Sequence, residues 1–309
     1  MLCASVRRFD RSLAALGHSG GARPGALAAV MIGLIFACPI VGSATDATTL
    51  RSACMAQLEQ SYDKAISEDT RGLCEDALAA NPDDTAVMTA VARAYLRIGP
   101  LSRVRELFLA AAERGNLDAM AGLGFIYMAG LGLDDYAQAF RWLRKPAAAG
   151  NADAQNMLGT LYERGWGVAA DDEEALRWYR RSAENGSAEA QARLGAIFYA
   201  GKIVERDFAE AYRWLLLAAE QGHAKAQNNL ASLYMAGLGV EKDLALGVRW
   251  IKESAAGGNA DGQHNLGQLY EHGVGVTQNK DEALKWYRLA AAQGHEEAAE
   301  AIRRLDQSP

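Results

Sequence analysis

Gly150-Asn151-Ala152-Asp153-Ala154-Gln155 opens a unit that runs on through Leu158-Gly159, Tyr162 and Gly165-Trp166-Gly167-Val168, and ends on Ala175-Leu176-Arg177-Trp178-Tyr179. The same words recur around Trp142, Trp178, Trp214, Trp250 and Trp286, five tryptophans spaced 36 residues apart without slippage. A fixed period in this range marks a stack of equivalent units, each burying the face its neighbour leaves open. Such a stack offers a long surface and no ready-made reaction pocket.

Each unit begins with glycine and a capping residue: Gly115-Asn116, Gly150-Asn151, Gly186-Ser187, Gly222-His223, Gly258-Asn259 and Gly294-His295. Glycine tolerates the left-handed conformation that ends one helix, and Asn or Ser caps the next. His223 and His295 share the capping register and read as structural. Two positions on stand Asp118, Asp153, Glu189, Lys225, Asp261 and Glu297, acidic in all but one unit, as the positive end of a helix dipole favours. The first helix then places Ala154, Leu158, Leu161 and Tyr162 on one face. Gly124, Gly159, Gly195, Ala231 and Gly267 are small enough to admit a close neighbour. A Gly-x-Gly turn follows at Gly130/Gly132, Gly165/Gly167, Gly237/Gly239 and Gly273/Gly275, and the second helix carries Ala175, Trp178 and Ala183. Pro146 replaces the small Ser182 or Ala218 of other units, which predicts a kinked or shortened second helix there.

These residues resemble the Sel-one-like repeat, a member of the tetratricopeptide superfamily. The resemblance covers five units from Gly115 to Gln293, with half a unit closing the chain at Leu305. Asp83 to Arg114 is similar to an ordinary tetratricopeptide unit, with Ala92, Tyr95, Gly99, Phe108 and Ala111 in their expected places. The resulting division is an export segment (1–44), a helical cap with one such unit (45–114), and the repeats (115–305). What the resemblance implies is an all-α, right-handed superhelical solenoid of antiparallel helix pairs that works through protein–protein contacts and not as an enzyme. Some relatives carry a disulfide in each repeat; this chain has no cysteine within its repeats.

The N-terminal 44 residues carry Arg7, Arg8, Arg11 and Arg23 against Asp10, a net of +3, which leaves −9 for the rest of a chain whose total is −6. An acidic body argues against the nucleic-acid backbone as a partner. The arginines precede the apolar stretch Gly25 to Val41 and the small residues Gly42-Ser43-Ala44, the order of a secretory signal cleaved after Ala44. A retained anchor, or lipidation at Cys38, is the alternative, and only through these would the chain meet a membrane. The mature chain would keep Cys54 and Cys74, either as a disulfide suited to an oxidising compartment or as two buried thiols.

Several motifs invite chemistry and do not support it. Gly17-His18-Ser19-Gly20-Gly21 lacks a preceding strand. Ser61-Tyr62-Asp63-Lys64 lacks companion motifs. His264 and His272 stand two helical turns apart, too far for a shared metal. No cofactor or metal is expected. The periodic tryptophans read as core and not as a stacking ladder for sugars or bases. Trp166 is out of register, in a turn whose counterparts are Leu131, Lys202, Leu238 and Val274; it either anchors a partner or packs on the next unit.

Binding is expected on the wall lined by first helices, where identity drifts while the frame is fixed. That face runs through Asn156, Thr160 and Glu163, then Ala192, Ala196 and Tyr199, then Asn228, Ser232 and Met235, then His264, Gln268 and Glu271. The sequence thus predicts a non-enzymatic scaffold or regulator in the bacterial envelope. It would hold a protein partner such as a sensor's outer domain or an export component. A cell-wall or polysaccharide-binding module, or a structural part of an export machine, is the alternative.

Overall fold

The computed structural model describes residues 46–60, 67–96, 99–130 and 135–307. The expected export segment, the Gly17 to Gly21 motif, Ser61 to Lys64, Leu131 and Gly132 lie outside the described residues. Among the described residues there are fifteen helices and no strand. They form successive pairs: α1 (Ala47–Gln60) with α2 (Glu68–Ala80), α3 (Thr85–Tyr95) with α4 (Leu101–Glu113), α5 (Leu117–Met128) with α6 (Tyr136–Ala148), and α7 (Ala152–Arg164) with α8 (Asp172–Glu184). The series continues with α9 (Ala188–Ala200) and α10 (Phe208–Glu220), α11 (Ala224–Ala236) and α12 (Leu244–Ala256), α13 (Ala260–His272) and α14 (Lys280–Ala292), and ends on the lone α15 (Glu296–Asp306). From α3 onward each pair packs most closely within itself and next most closely on the following helix, and the described residues from 47 to 307 form one α/α solenoid.

The punctuation follows the sequence. Gly115, Gly150, Gly186, Gly222, Gly258 and Gly294 all take φ between 84° and 95°, the left-handed region that ends a second helix. The next side chain caps the following helix: Asn151 Oδ1 accepts the Ala154 N–H at 2.9 Å, and His223 Nδ1 accepts that of Ala226 at 3.1 Å. Each such cap is worth about 1 kcal/mol. First helices from α7 to α13 end on a left-handed glycine: Gly165, Gly201, Gly237 and Gly273.

The pairs close by a size match. A methyl group placed on Gly159 would sit 2.5 Å from the Tyr179 ring, and one on Gly267 would sit 2.6 Å from Tyr287; Gly124 and Gly195 meet Leu143 and Leu215 in the same way. These four bulky residues are fully buried, and each directly follows a periodic tryptophan. The tryptophans themselves are only half-buried. They bridge instead of filling: Trp214 packs against the apolar clusters on both sides of it, and Trp250 does likewise. The deepest core position of the second helix is thus one residue beyond the one that marks the period.

Pro146 does not shorten α6, which has 13 residues like its equivalents. It falls in the last turn, where its missing N–H leaves only the Trp142 carbonyl without its donor, while its own carbonyl accepts from Ala149 and Asn151. At the other end of the solenoid Cys54 and Cys74 are bonded, with Cα atoms 5.0 Å apart, and tie α1 to α2. Closing a loop of this length stabilises by roughly 3 kcal/mol.

Gly159→Ala is expected to lower the unfolding free energy by about 1–3 kcal/mol, because the new methyl overpacks against Tyr179. Gly72→Ala, on the exposed side of α2 with nothing near it, is expected to raise it by about 0.5–1 kcal/mol. Urea titration of both variants reads the two signs; a neutral Gly159→Ala would contradict the size match.

Candidate functional site

Neighbouring first helices come into contact along the array, α3 with α5, α5 with α7, α9 with α11 and α11 with α13, while neighbouring second helices stand further apart. The first helices therefore form the inner wall, and the expected binding face lies on them. The structure places most of its residues half-buried, in the seams between units.

Glu163 is the clearest case. Tyr179 donates its hydroxyl to Glu163 Oε2 and Arg193, from the next first helix, bonds the same oxygen at 3.1 Å. Three periods later the arrangement returns: Tyr287 donates to Glu271 Oε2 at 2.7 Å, and Arg304 reaches both Glu271 oxygens at 2.7 and 2.8 Å. A third version stands in the cap, where Tyr95 and Arg103 converge on Glu75 at 3.1 and 2.7 Å. Each buried phenol needs an acceptor, and the carboxylate supplies one while the arginine compensates its charge. Burial, then the Glu163 hydrogen bond, pushes the Tyr179 hydroxyl well above its ordinary value; burial and Glu271 do the same to Tyr287. Burial, then Glu75, pushes Tyr95 up to about 12. All three remain protonated donors at neutral pH.

The drift of the expected face now has a cause. Where the second helix offers tyrosine, the first helix answers with glutamate (Tyr179 with Glu163, Tyr287 with Glu271). Where it offers Leu143, Leu215 or Ile251, the same position is Met128, Tyr199 or Met235. Other candidates are engaged too. The Thr160 hydroxyl lies 3.2 Å from that of Tyr179, and Asn228 Oδ1 accepts from Asn265 at 2.8 Å, with Ser232 bonded to the Asn228 carbonyl. His264 stacks on His295 at 4.4 Å. Trp166 stacks on Tyr136 with centroids 4.7 Å apart, so it packs on the preceding unit and not the next. Ala192 is buried. Tyr199 and Gln268 remain exposed, Tyr199 at 39%. Near Gln268 a groove of about 430 Å³ opens between His264, Tyr287, Glu297 and Arg304.

A second row of polar contacts carried no signal beyond its period. Gln155, Gln191, Gln227 and Gln263 are buried, and each donates to a carbonyl at the end of the preceding helix, Ala147, Ala183, Ala219 or Ala255, at 2.9–3.3 Å. Asn185, Gln221 and Gln293 donate in turn to the first, second and fourth of these amides at 2.7–2.9 Å. The equivalent of these donors in the fourth unit is Gly257, and there Gln227 Oε1 is buried without a partner.

Two measurements test these seams. Tyr179→Phe is expected to cost about 1–3 kcal/mol, since it leaves a half-buried carboxylate with one donor fewer. Tyr179→Leu with Glu163→Met, the combination other units use, should cost less than the two single changes summed; additive values in a double-mutant cycle would refute the coupling. The second test is pH. Burial, then the neighbouring His295, holds the His264 imidazole below its ordinary value. The unfolded chain therefore binds a proton near pH ~6.5 that the folded chain resists, so stability falls as pH drops through that value. The loss is complete below the folded value, and His264→Gln should flatten it in urea titrations at about pH 8 and about pH 5.

Five consecutive segments, residues 117–151, 152–187, 188–223, 224–259 and 260–295, match the Sel1 repeat, and together they make up more than half of the chain. Among solved structures, a protective antigen of uropathogenic Escherichia coli displaying an SLR fold is 34% identical with a TM-score of 0.64, over 74% of this chain and 50% of that one. The chain thus spans about half the length of that antigen. A Sel1 repeat protein from Oxalobacter formigenes is 26% identical with a TM-score of 0.66, over 84% of this chain and 76% of its own. No curated protein matches the chain. Proteins built from these repeats generally act as scaffolds for protein–protein interaction and are generally not enzymes. With its repeats matched in register from Leu117 to His295, the chain belongs to the Sel1 repeat family.

Proposed function

We propose that this protein is a non-enzymatic scaffold or regulator of the bacterial envelope that holds a protein partner against the inner wall of its first helices. The observation that carries this reading is the wall itself, a row of first helices in which α3, α5 and α7 touch in turn, as do α9, α11 and α13, and which leaves Tyr199, Gln268 and the groove beside Gln268 open. An exposed aromatic next to adaptable polar groups is the composition of a protein-binding surface. The envelope assignment is supported by the signal-like order of residues 1–44 and by the Cys54–Cys74 bond, which persists in oxidising compartments. A sensor's outer domain or an export component suits such a role.

Crosslinking and mass spectrometry of the tagged chain in the native envelope tests the proposal. Glu163 and Glu271 are poor probes, since reversing them breaks the seams; Tyr199→Ala with Gln268→Glu changes the two exposed side chains of the face, and circular dichroism checks that losing the Tyr199–Phe208 ring contact leaves the fold intact. A protein neighbour enriched by the wild type and reduced about tenfold or more by this pair supports the reading. Capture that ignores the pair, or cosedimentation with peptidoglycan or polysaccharide in its place, overturns it.

A further inference from the structure

We infer a second binding site, on the opposite side of the array between the second helices α6 and α8, for an acidic peptide segment that carries an apolar side chain. The body of the chain has a net charge of −9, yet α6 contains Arg141, Arg144 and Lys145 and no acidic residue. In three other units the residue before the tryptophan is neutralised one turn earlier: Arg177 by Glu174 at 2.8 Å, Arg213 by Glu210 at 2.8 Å and Lys285 by Glu282 at 3.2 Å. In α6 that earlier position is Gln138, and among the described residues none of Arg141, Arg144 and Lys145 forms an ion pair. The frame supplies the neutralising partner in three units and withholds it at Arg141, as it does at Arg249, where the earlier position is Leu246; α6 alone adds two further cations and no acidic residue.

These cations border a groove of about 670 Å³ whose remaining wall includes Phe140, Tyr162 and Trp178. Phe140 and Tyr162 meet edge to face at 5.6 Å, and the Arg144 guanidinium lies 6.0 Å over the Phe140 ring. Glu174 also lines the groove but is held by Arg177. Two guanidinium forks and an ammonium at the rim match carboxylates, and the rings beneath match an aromatic or branched side chain. Charge complementarity decides the class of occupant. Beyond these cations and the adjoining Arg180 and Arg181 of α8 the body of the chain is acidic, so a nucleic acid or a membrane would press acidic neighbours against phosphates. A short peptide touches the groove alone.

The test uses the full-length chain and a fluorescein-labelled glutamate-rich decapeptide containing one phenylalanine, followed by anisotropy. Binding should weaken about tenfold or more when Arg141, Arg144 and Lys145 are all changed to Glu, and also when they are changed to Gln, with circular dichroism confirming the fold. It should weaken similarly when the peptide's glutamates become glutamines, and when salt rises from about 50 to about 300 mM. Arg249→Glu, Lys252→Glu and Arg288→Glu together make the same change in net charge on other units and should leave binding within about twofold. The inference fails if the wild type does not bind the peptide, if this second triple weakens binding as much as the first, or if the glutamine peptide binds equally well. It also fails if vesicles rich in phosphatidylglycerol bind in an α6-dependent way while the peptide does not.

Discussion

The structure rests on the contact between a residue without a side chain and one with a large side chain. Gly124, Gly159, Gly195 and Gly267 on the first helices lie under Leu143, Tyr179, Leu215 and Tyr287 on the second. This contact sets how near the two helices approach, and interiors this dense do not tolerate a change of one methyl without displacement elsewhere. The fourth unit obeys the same rule with the sizes redistributed. Ala231 faces its pair there, and Gly247 on α12 makes the room that Met235 fills. What each unit repeats is a small residue opposite a bulky one at the crossing, and the period of the chain is the period of that crossing.

Polar satisfaction follows from the same choice. A tyrosine at the deep position brings a hydroxyl into the interior, and a buried hydroxyl without an acceptor is costly. Glu163 and Glu271 meet that demand, and arginines from the neighbouring first helix meet the charge this introduces. Leucine or isoleucine at the deep position makes no such demand, and the glutamate is gone. The amide rows behave alike: Gln227 keeps its donor bond to Ala219, but with Gly257 opposite, its acceptor goes unmet. Units of the array are thus linked by coupled pairs whose members change together.

Much of this was legible from residue order. Glycine at a left-handed position, a capping side chain after it, and a small residue opposite a bulky one are local requirements, and the chain writes them at fixed spacing. The depth of the tryptophans was not legible. The period reads the tryptophans as core, whereas the indoles bridge clusters at half-burial and Tyr179 or Leu215 beside them fills the core. Pro146 kept its helix at full length because a proline in the last turn costs a single hydrogen bond. The expected binding face illustrates a deeper limit. Variation at Glu163, Asn228 or His264 looked like freedom to serve a partner, but the information that it answers to Tyr179, Asn265 or His295 lies in contacts between different helices, 16 to 37 residues away in sequence.

That limit also shows where recognition can reside. Frame positions are dictated by neighbours, and a drifting position that pairs with another drifting position is still frame. Only departures left unanswered inside the chain remain available for something outside it. Tyr199 is answered only in part: it meets Phe208 edge to face at 5.6 Å but keeps a partly open ring where other units place methionine or a tied glutamate. Arg141 of α6 is another, a charge for which three other units supply an earlier glutamate and this one supplies Gln138. A scaffold of this construction separates its two tasks by this criterion: side chains with an internal partner maintain the stack, and those without one are free to choose what the stack holds.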